Sequence, residues 1–399
     1  MKFFCELRTA NCELKKSKFL RVVVFSLFVS LLLAGCHSDK PSVKIGLNTE
    51  LTGEVPSIGN SCLHAAQLFV EEKNQAGGIS IAGVKMPLSL VVGDNGAKPD
   101  QAATVAQRLI SQDEVVAMVG PNISSCAIPA AEIAESFGCL MMTPLSTNQR
   151  TTKDSATEKA KKHVFRAGFT EVFEQLALAK FAIEQLHAKK AAILYDMSSE
   201  APNSESKLFK KAFIAQGGTV VAMETYSTGD RDFRAQLTNI KAAEPDVIFL
   251  PTYYNDVPLI AEQAHQLGIK AIFLGNSAWS TPEIIQLDAG HHLEGACFSN
   301  HFAMESNAPE IQKFITSYKA KFGELPDEIA ALTYDSISLV TQAIEKANSL
   351  DRLAISRAMG EIREFQGLTG NFIYPPGSRD PIKNVIMIQL RQGKFEQMK

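Results

Sequence analysis

The residues that most often carry catalysis are present in this chain but not arranged for it. Seven cysteines and eight histidines are available. The cysteine spacings match no zinc pattern. His291 and His292 are adjacent, but neighbouring side chains point different ways and no third ligand is evident. His187, His265 and His301 are scattered. A P-loop and a Gly-x-Ser-x-Gly elbow are both absent. Neither a metal nor a cofactor is implied, and no residue is assigned as catalytic. What remains suits non-covalent binding. Gly120-Pro121-Asn122-Ile123-Ser124-Ser125 follows an apolar run and opens a helical one. Hydroxyls and backbone N–H groups at a helix N-terminus suit an anion, although Ser124 serves equally as a cap. Trp279, the only tryptophan, lies in a loop at a strand end. It either stacks on a ligand or staples the loop to the core. Asp94 ends a strand, where it caps a turn or faces a cleft.

These groups sit in a chain of 399 residues and 43.5 kDa. Apolar residues make up 45% and charged residues 21%, which excludes disordered, collagen-like, coiled-coil and disulfide-miniprotein classes. The net charge of −3 argues against nucleic acid held on a basic surface. Lys15, Lys16, Lys18 and Arg21 precede the uncharged run Val22 to Ala34. That run is too short for an ordinary membrane span and has the length of a signal-peptide core. It ends in Leu33-Ala34-Gly35-Cys36, which resembles the bacterial lipoprotein lipobox. The resemblance implies a lipid on Cys36 as the mature N-terminus. A lipid-free cut nearby and an N-terminal anchor helix are the alternatives. Residues 1–35 carry a net +4, so the remaining body carries −7. Outside the cytosol, Cys62, Cys126, Cys139 and Cys297 either form disulfides or stay buried and free. A Cys62–Cys126 bridge is one open pairing.

The body alternates two periodicities. Strands are expected at 43–47, 88–92, 115–119 and 139–142, with helices at 61–75, from a cap at Asp100 to Ile110, and within 124–137. The pattern then restarts. Strands at 191–195, 219–226, 247–250 and 271–274 alternate with helices at 173–187, 206–216, 233–243 and 257–267. Strands apolar on both sides, alternating with helices, imply parallel sheets covered on both faces. Two series imply two α/β lobes, with the lysine-rich Thr151 to His163 as the seam. Helices at 309–322 and 328–347 and strands at 367–373 and 385–390 then read as a return to the first lobe and a last crossing to the second.

The order of these segments, and the residues in them, resemble the periplasmic binding proteins of the leucine/isoleucine/valine type, receptors of branched-chain amino-acid ABC importers. Matching stretches are Val43-Lys44-Ile45-Gly46 with Leu51-Thr52-Gly53, Asn74 to Ile79, and Val119-Gly120-Pro121. Met142 to Thr147, Phe165-Arg166 and Lys189 to Asp196 also match, as do Phe273-Leu274-Gly275, Tyr334-Asp335 and Phe365 to Gly370. They run collinearly over nearly all of the chain after residue 41. The resemblance implies a type I periplasmic binding protein: two doubly wound parallel-sheet lobes joined by a multi-stranded hinge. It places residues 42–166 with 301–376 in lobe one and 167–300 with 377–399 in lobe two, behind a signal peptide (1–35) and a tether (36–41). It implies an extracytoplasmic protein, held at a membrane by Cys36, that gives a small amino-acid-like ligand to ABC permease subunits. A ligand sensor uncoupled from transport is the alternative.

The resemblance also assigns residues. Ser124 and Thr147 offer hydroxyls to the ligand, Leu145 offers its backbone, Ser146 lies between them, and Tyr253 packs from lobe two, with Tyr254 a weaker candidate. The acid that pairs with a ligand ammonium in amino-acid-binding members falls at Ser277. Either Asp256 or Glu200 substitutes, or the ligand lacks the amine. The aromatic expected before Gly59 is Ile58, and Met197 to Ala201 lacks another. Trp279 is a compensating candidate.

Overall fold

A computed structural model describes residues 42–398. The expected signal peptide (1–35), the expected lipid site Cys36 and the expected tether (36–41) lie outside them. No helix among the described residues is long and apolar enough to cross a membrane.

The first sheet uses strands β1 (Val43–Thr49), β4 (Leu88–Asp94), β5 (Ala117–Val119), β6 (Leu140–Thr143) and β7 (Val164–Arg166). A short hairpin, β2 (Ile79–Ile81) and β3 (Val84–Met86), lies between the first two. The order is β4-β1-β5-β6-β7, and every pairing is parallel. Helices Pro56–Gln75, Pro99–Ser111 and Ser124–Ser136 are the crossovers. All four residues of β6 are buried, as expected for a strand covered on both faces.

The second sheet repeats the plan with β8 (Lys190–Asp196), β9 (Thr219–Tyr226), β10 (Val247–Leu250), β11 (Ile272–Gly275) and β12 (Cys297–Asn300). A hairpin, β13 (Glu364–Gly367) and β14 (Gly370–Ile373), stands apart. Antiparallel strands β15 (Ile386–Arg391) and β16 (Lys394–Gln397) complete the sheet beyond β12. The order β9-β8-β10-β11-β12 mirrors the first sheet. In both, strand order reverses beside the first strand of the series, which is where open parallel sheets bind ligands.

The chain passes between sheets after Arg166, after Asn300, and between Ile373 and Ile386. Thr151 to His163 is therefore not the seam. It is a loop, closed by a bridge between Lys153 and Ala160, that precedes the last strand of the first sheet. Its four lysines suggested a linker, but Lys161 is buried and gives its ammonium to the carbonyls of Arg150 and Lys153. Helices Pro309–Phe322 and Glu328–Ala347 stand where the periodicity placed them, and both pack on helix Pro56–Gln75.

Other boundaries moved for local reasons. The first helix begins at Pro56, not Ser61, because proline is pre-organised for a first turn. Pro99 likewise starts the second, which puts Asp100 inside its first turn and not at the cap. The stretch 367–373 is not one strand. It turns back at Leu368-Thr369, where Asp335 collects the N–H groups of both residues. Cys62, Cys126, Cys139 and Cys297 are all buried and free, so the open Cys62–Cys126 pairing is not formed. Burial pushes the Cys62 and Cys297 thiols up to about 11 and Cys139 to about 12, which leaves them protonated and inert.

Candidate functional site

Loops at the C-terminal ends of β5 and β6 in one sheet face those after β8, β10 and β11 in the other. They enclose a cleft of roughly 320 Å³ of empty space lined by Asn122, Ser124, Leu145, Ser146, Thr147, Ala201, Pro202, Glu205, Thr252, Tyr253, Asn276, Ser277 and Ala278.

The first-sheet wall begins at Gly120, whose φ is +84° and whose hypothetical Cβ would lie 2.1 Å from the Asn48 carbonyl oxygen. Only glycine permits that approach. The next residues are held by buried Glu50, which accepts from the backbone N–H groups of Asn122 (3.0 Å) and Ile123 (3.3 Å) and from Asn122 Nδ2 (2.9 Å). Burial raises the Glu50 carboxyl against those bonds. Ser124 then opens helix Ser124–Ser136. It does not cap that helix, since the cap position is Ile123 and no side chain serves it. The Ser124 hydroxyl sits 3.0 Å from that of Ser146, which sits 2.8 Å from Thr151 Oγ1. First-turn N–H groups lack intrahelical acceptors, so donors and hydroxyls meet here as an anion site requires.

Arg166 positions the loop after β6. Fully buried, it donates to the carbonyls of Ser146 and Asn148 and pairs Nε with Asp380 at 2.9 Å. Asp380 lies on the third passage between sheets, so one side chain ties the ligand loop to the hinge.

The second-sheet wall contributes the charge. Glu205, on helix Glu200–Ala215, accepts from Thr147 Oγ1 across the cleft (2.9 Å) and from Asn276 Nδ2 (2.7 Å). Burial, with the negative charges of Glu174 and Glu171, pushes its carboxyl up to about 8 although both hydrogen bonds oppose the shift. Glu174 lies behind Ser277, taking its backbone N–H at 2.9 Å and the Ser299 hydroxyl at 2.6 Å, with Oε2 unpartnered. Burial raises Glu174 and Glu171 too. None of the three has an ion-pair partner among the described residues. Nor do any three acidic, histidine or cysteine side chains there form a metal cluster. The wall thus faces the hydroxyls of the first lobe with a buried carboxyl that has no cation of its own and that a ligand ammonium would ionise, which suits a zwitterion.

Ser124, Leu145, Ser146, Thr147, Tyr253 and Ser277 all line the cleft. Trp279 does not. Its indole is fully buried against Phe298 and lies so close over Gly275 that any side chain there would clash. Of the two roles open to it, it staples the loop. Ile58 is also fully buried and absent from the lining. The substitute acids stand elsewhere. Glu200 pairs with Arg150 across the rim at 2.9 Å, and Asp256 accepts from Tyr226 and faces Arg231. Tyr254 accepts the Ser57 N–H from the other lobe. Asp94 gathers the N–H groups of Leu51, Thr52 and Gly96 in a turn.

Sequence reasoning missed Glu205, Asn122 and Asn276. For Glu205 a signal existed. It falls between Ala201 and Phe209 on a helical face that continues through Ala212 and Phe213, all buried. An acid on an apolar stripe demands a partner.

The family model for periplasmic binding proteins matches residues 42–394. A leucine-, isoleucine-, valine-, threonine- and alanine-binding protein of Pseudomonas aeruginosa is 29% identical over 349 residues, covering 86% of this chain and 90% of its own. Among solved structures, a leucine-binding protein of Thermotoga maritima superposes with a TM-score of 0.82 at 31% identity, over 90% of this chain and 98% of that one. A branched-chain amino-acid transporter substrate-binding protein of Streptococcus pneumoniae, in complex with isoleucine, gives 0.81 at 30% identity over 89% and 98%. With the paired sheets, the three passages between them and the cleft at their switch points, these likenesses show that the chain belongs to the periplasmic binding protein family, of the leucine/isoleucine/valine-binding type.

Proposed function

We propose that this chain is an extracytoplasmic receptor that closes on a small α-amino acid, a branched-chain amino acid or a relative, and delivers it to an ABC permease. Glu205 carries the reading. A buried carboxylate beside Thr147 and Asn276, with no cation of its own, is costly in an empty closed cleft. A ligand ammonium there, with its carboxylate at Ser124 and the first-turn N–H groups, balances both walls. Glu205 thus takes the place of the acid missing at Ser277, and the sensor reading for a ligand without an amine loses its main motive.

The residues lining both walls support hinge closure. Thr147–Glu205, Arg150–Glu200 and Ser57–Tyr254 all join lobe one to lobe two, and the three passages between sheets support lobes of 42–166 with 301–376 and 167–300 with 377–399. Ligand shifts the open–closed balance by its preference for the closed form. The Leu33 to Cys36 tetrad supports lipid attachment at Cys36. X-ray scattering across an amino-acid panel tests the receptor reading. A smaller radius of gyration with one or more amino acids is expected, and no compaction with any of them overturns it.

A further inference from the structure

Two asparagines line the cleft, Asn276 on one wall and Asn122 on the other. Asn276 gives Nδ2 to Glu205, and Asn122 gives Nδ2 to Glu50 and Thr49. In both amides the N–H side faces these acceptors and the carbonyl side faces away from them. Each is left with Oδ1 buried and unpartnered. Asn276 Oδ1 stands beside Glu205 and falls to the ligand ammonium. Asn122 Oδ1 belongs to the opposite lobe, two residues before Ser124, and neither the ammonium nor the carboxylate of the ligand accounts for it. Glu50 grips Asn122 by its backbone and its side chain, so the carboxamide does not turn away.

The rest of the wall agrees. Leu145 is the one branched aliphatic side chain in the lining, beside Ala201, Pro202 and Ala278. Ile58 and Trp279, which have the bulk to build an apolar pocket, are sealed in the core. An aliphatic ligand would cover Asn122 Oδ1 and leave it unpaired, which a site built to hydrogen-bond its ligand discriminates against strongly.

We propose that Asn122 is a specificity residue, accepting a hydrogen bond from an uncharged donor on the ligand side chain, so that this receptor prefers hydroxyl or carboxamide amino acids to branched aliphatic ones. The proposal rests on the reading of the ligand as an α-amino acid. Isosteric pairs test it without altering the protein: calorimetry of the unliganded chain with L-threonine against L-valine and L-asparagine against L-leucine. The expected result is that the polar member of at least one pair binds tenfold or more tightly than its isostere. Equal or tighter binding of the aliphatic member in both pairs overturns the proposal and leaves the amino-acid reading standing. No binding by any of twenty amino acids overturns the reading itself. Asn122→Leu, checked for an intact thermal transition, is expected to erase or reverse the preference, and an unchanged ratio in a folded variant also overturns the proposal.

Discussion

Replacing Glu205 with glutamine removes one negative charge from the cleft while keeping the side-chain volume and a hydrogen-bonding tip for Thr147 and Asn276. In the closed cleft the carboxyl is pushed from its ordinary 4.5 to about 8, which at 1.36 kcal/mol per unit is roughly 5 kcal/mol against closing on a bare charge. A ligand ammonium offsets that penalty, and the variant has none to offset. Breaking one side of a buried pair costs about 3–5 kcal/mol, so the amino acid that binds wild type best should bind Glu205→Gln some hundred- to several-thousand-fold more weakly. The desamino analogue should behave in the opposite way, binding the variant at least as well as wild type. Proton linkage gives a second readout. At pH 7 the desamino acid should draw protons into the wild-type complex, because burial raises the Glu205 carboxyl and no ammonium offsets it. The amino acid should draw almost none. Calorimetry in buffers of different ionisation enthalpy reads both. Amino-acid affinity within threefold of wild type, in a variant with an unchanged melting transition, would refute the assignment of Glu205.

Arg166→Met takes the cationic partner from Asp380 and a donor from each of two loop carbonyls and should cost about 3–5 kcal/mol, seen as a lower urea midpoint together with weaker ligand binding. Arg150→Ala removes only a half-exposed rim pair and should change stability by less than about 1 kcal/mol. Asp327 caps helix Glu328–Ala347 through Ala330 N–H and accepts from Ser61, and burial raises it from 3.8 to about 7. The folded protein therefore binds its proton more tightly than the unfolded chain. The contribution is full below pH 3.8 and is lost as pH rises to about 7. Asp327→Asn keeps the cap and should flatten that part of the stability profile, relative to wild type, in denaturant titrations from pH 4 to 8. Peptide mapping after a thiol reagent should find Cys62, Cys126, Cys139 and Cys297 unmodified in the native protein and all four modified in guanidinium.

The fold was legible because its signals are periodic and cumulative. Val247 to Leu250 and Leu140 to Met142 read as strands buried on both faces, and the long amphipathic helices at 309–322 and 328–347 announced both ends. Short elements carried no period. Strand Val164–Arg166 contributes three residues to its sheet, and missing it moved the seam into the lysine-rich loop before it. The site divided in the same way. Ser124, Leu145 and Thr147 follow strands whose ends define the cleft, and the resemblance to leucine/isoleucine/valine-type binding proteins assigned them. Glu205 sits in mid-helix, five residues past the helix start, and only the pairing of two sheets brings it to Thr147. Trp279 shows the reverse error. Its chemistry invited a ligand role, but a glycine at 275 leaves room for the indole inside the core.

The claim that two lobes close on an α-amino acid through Glu205 is tested most directly by a crystal structure of the protein saturated with whichever amino acid binds it best. The ligand nitrogen should lie about 3 Å from a Glu205 carboxylate oxygen, with the ligand carboxylate on the Ser124 hydroxyl. A ligand whose nitrogen lies away from Glu205, or one seated outside the cleft, would contradict it.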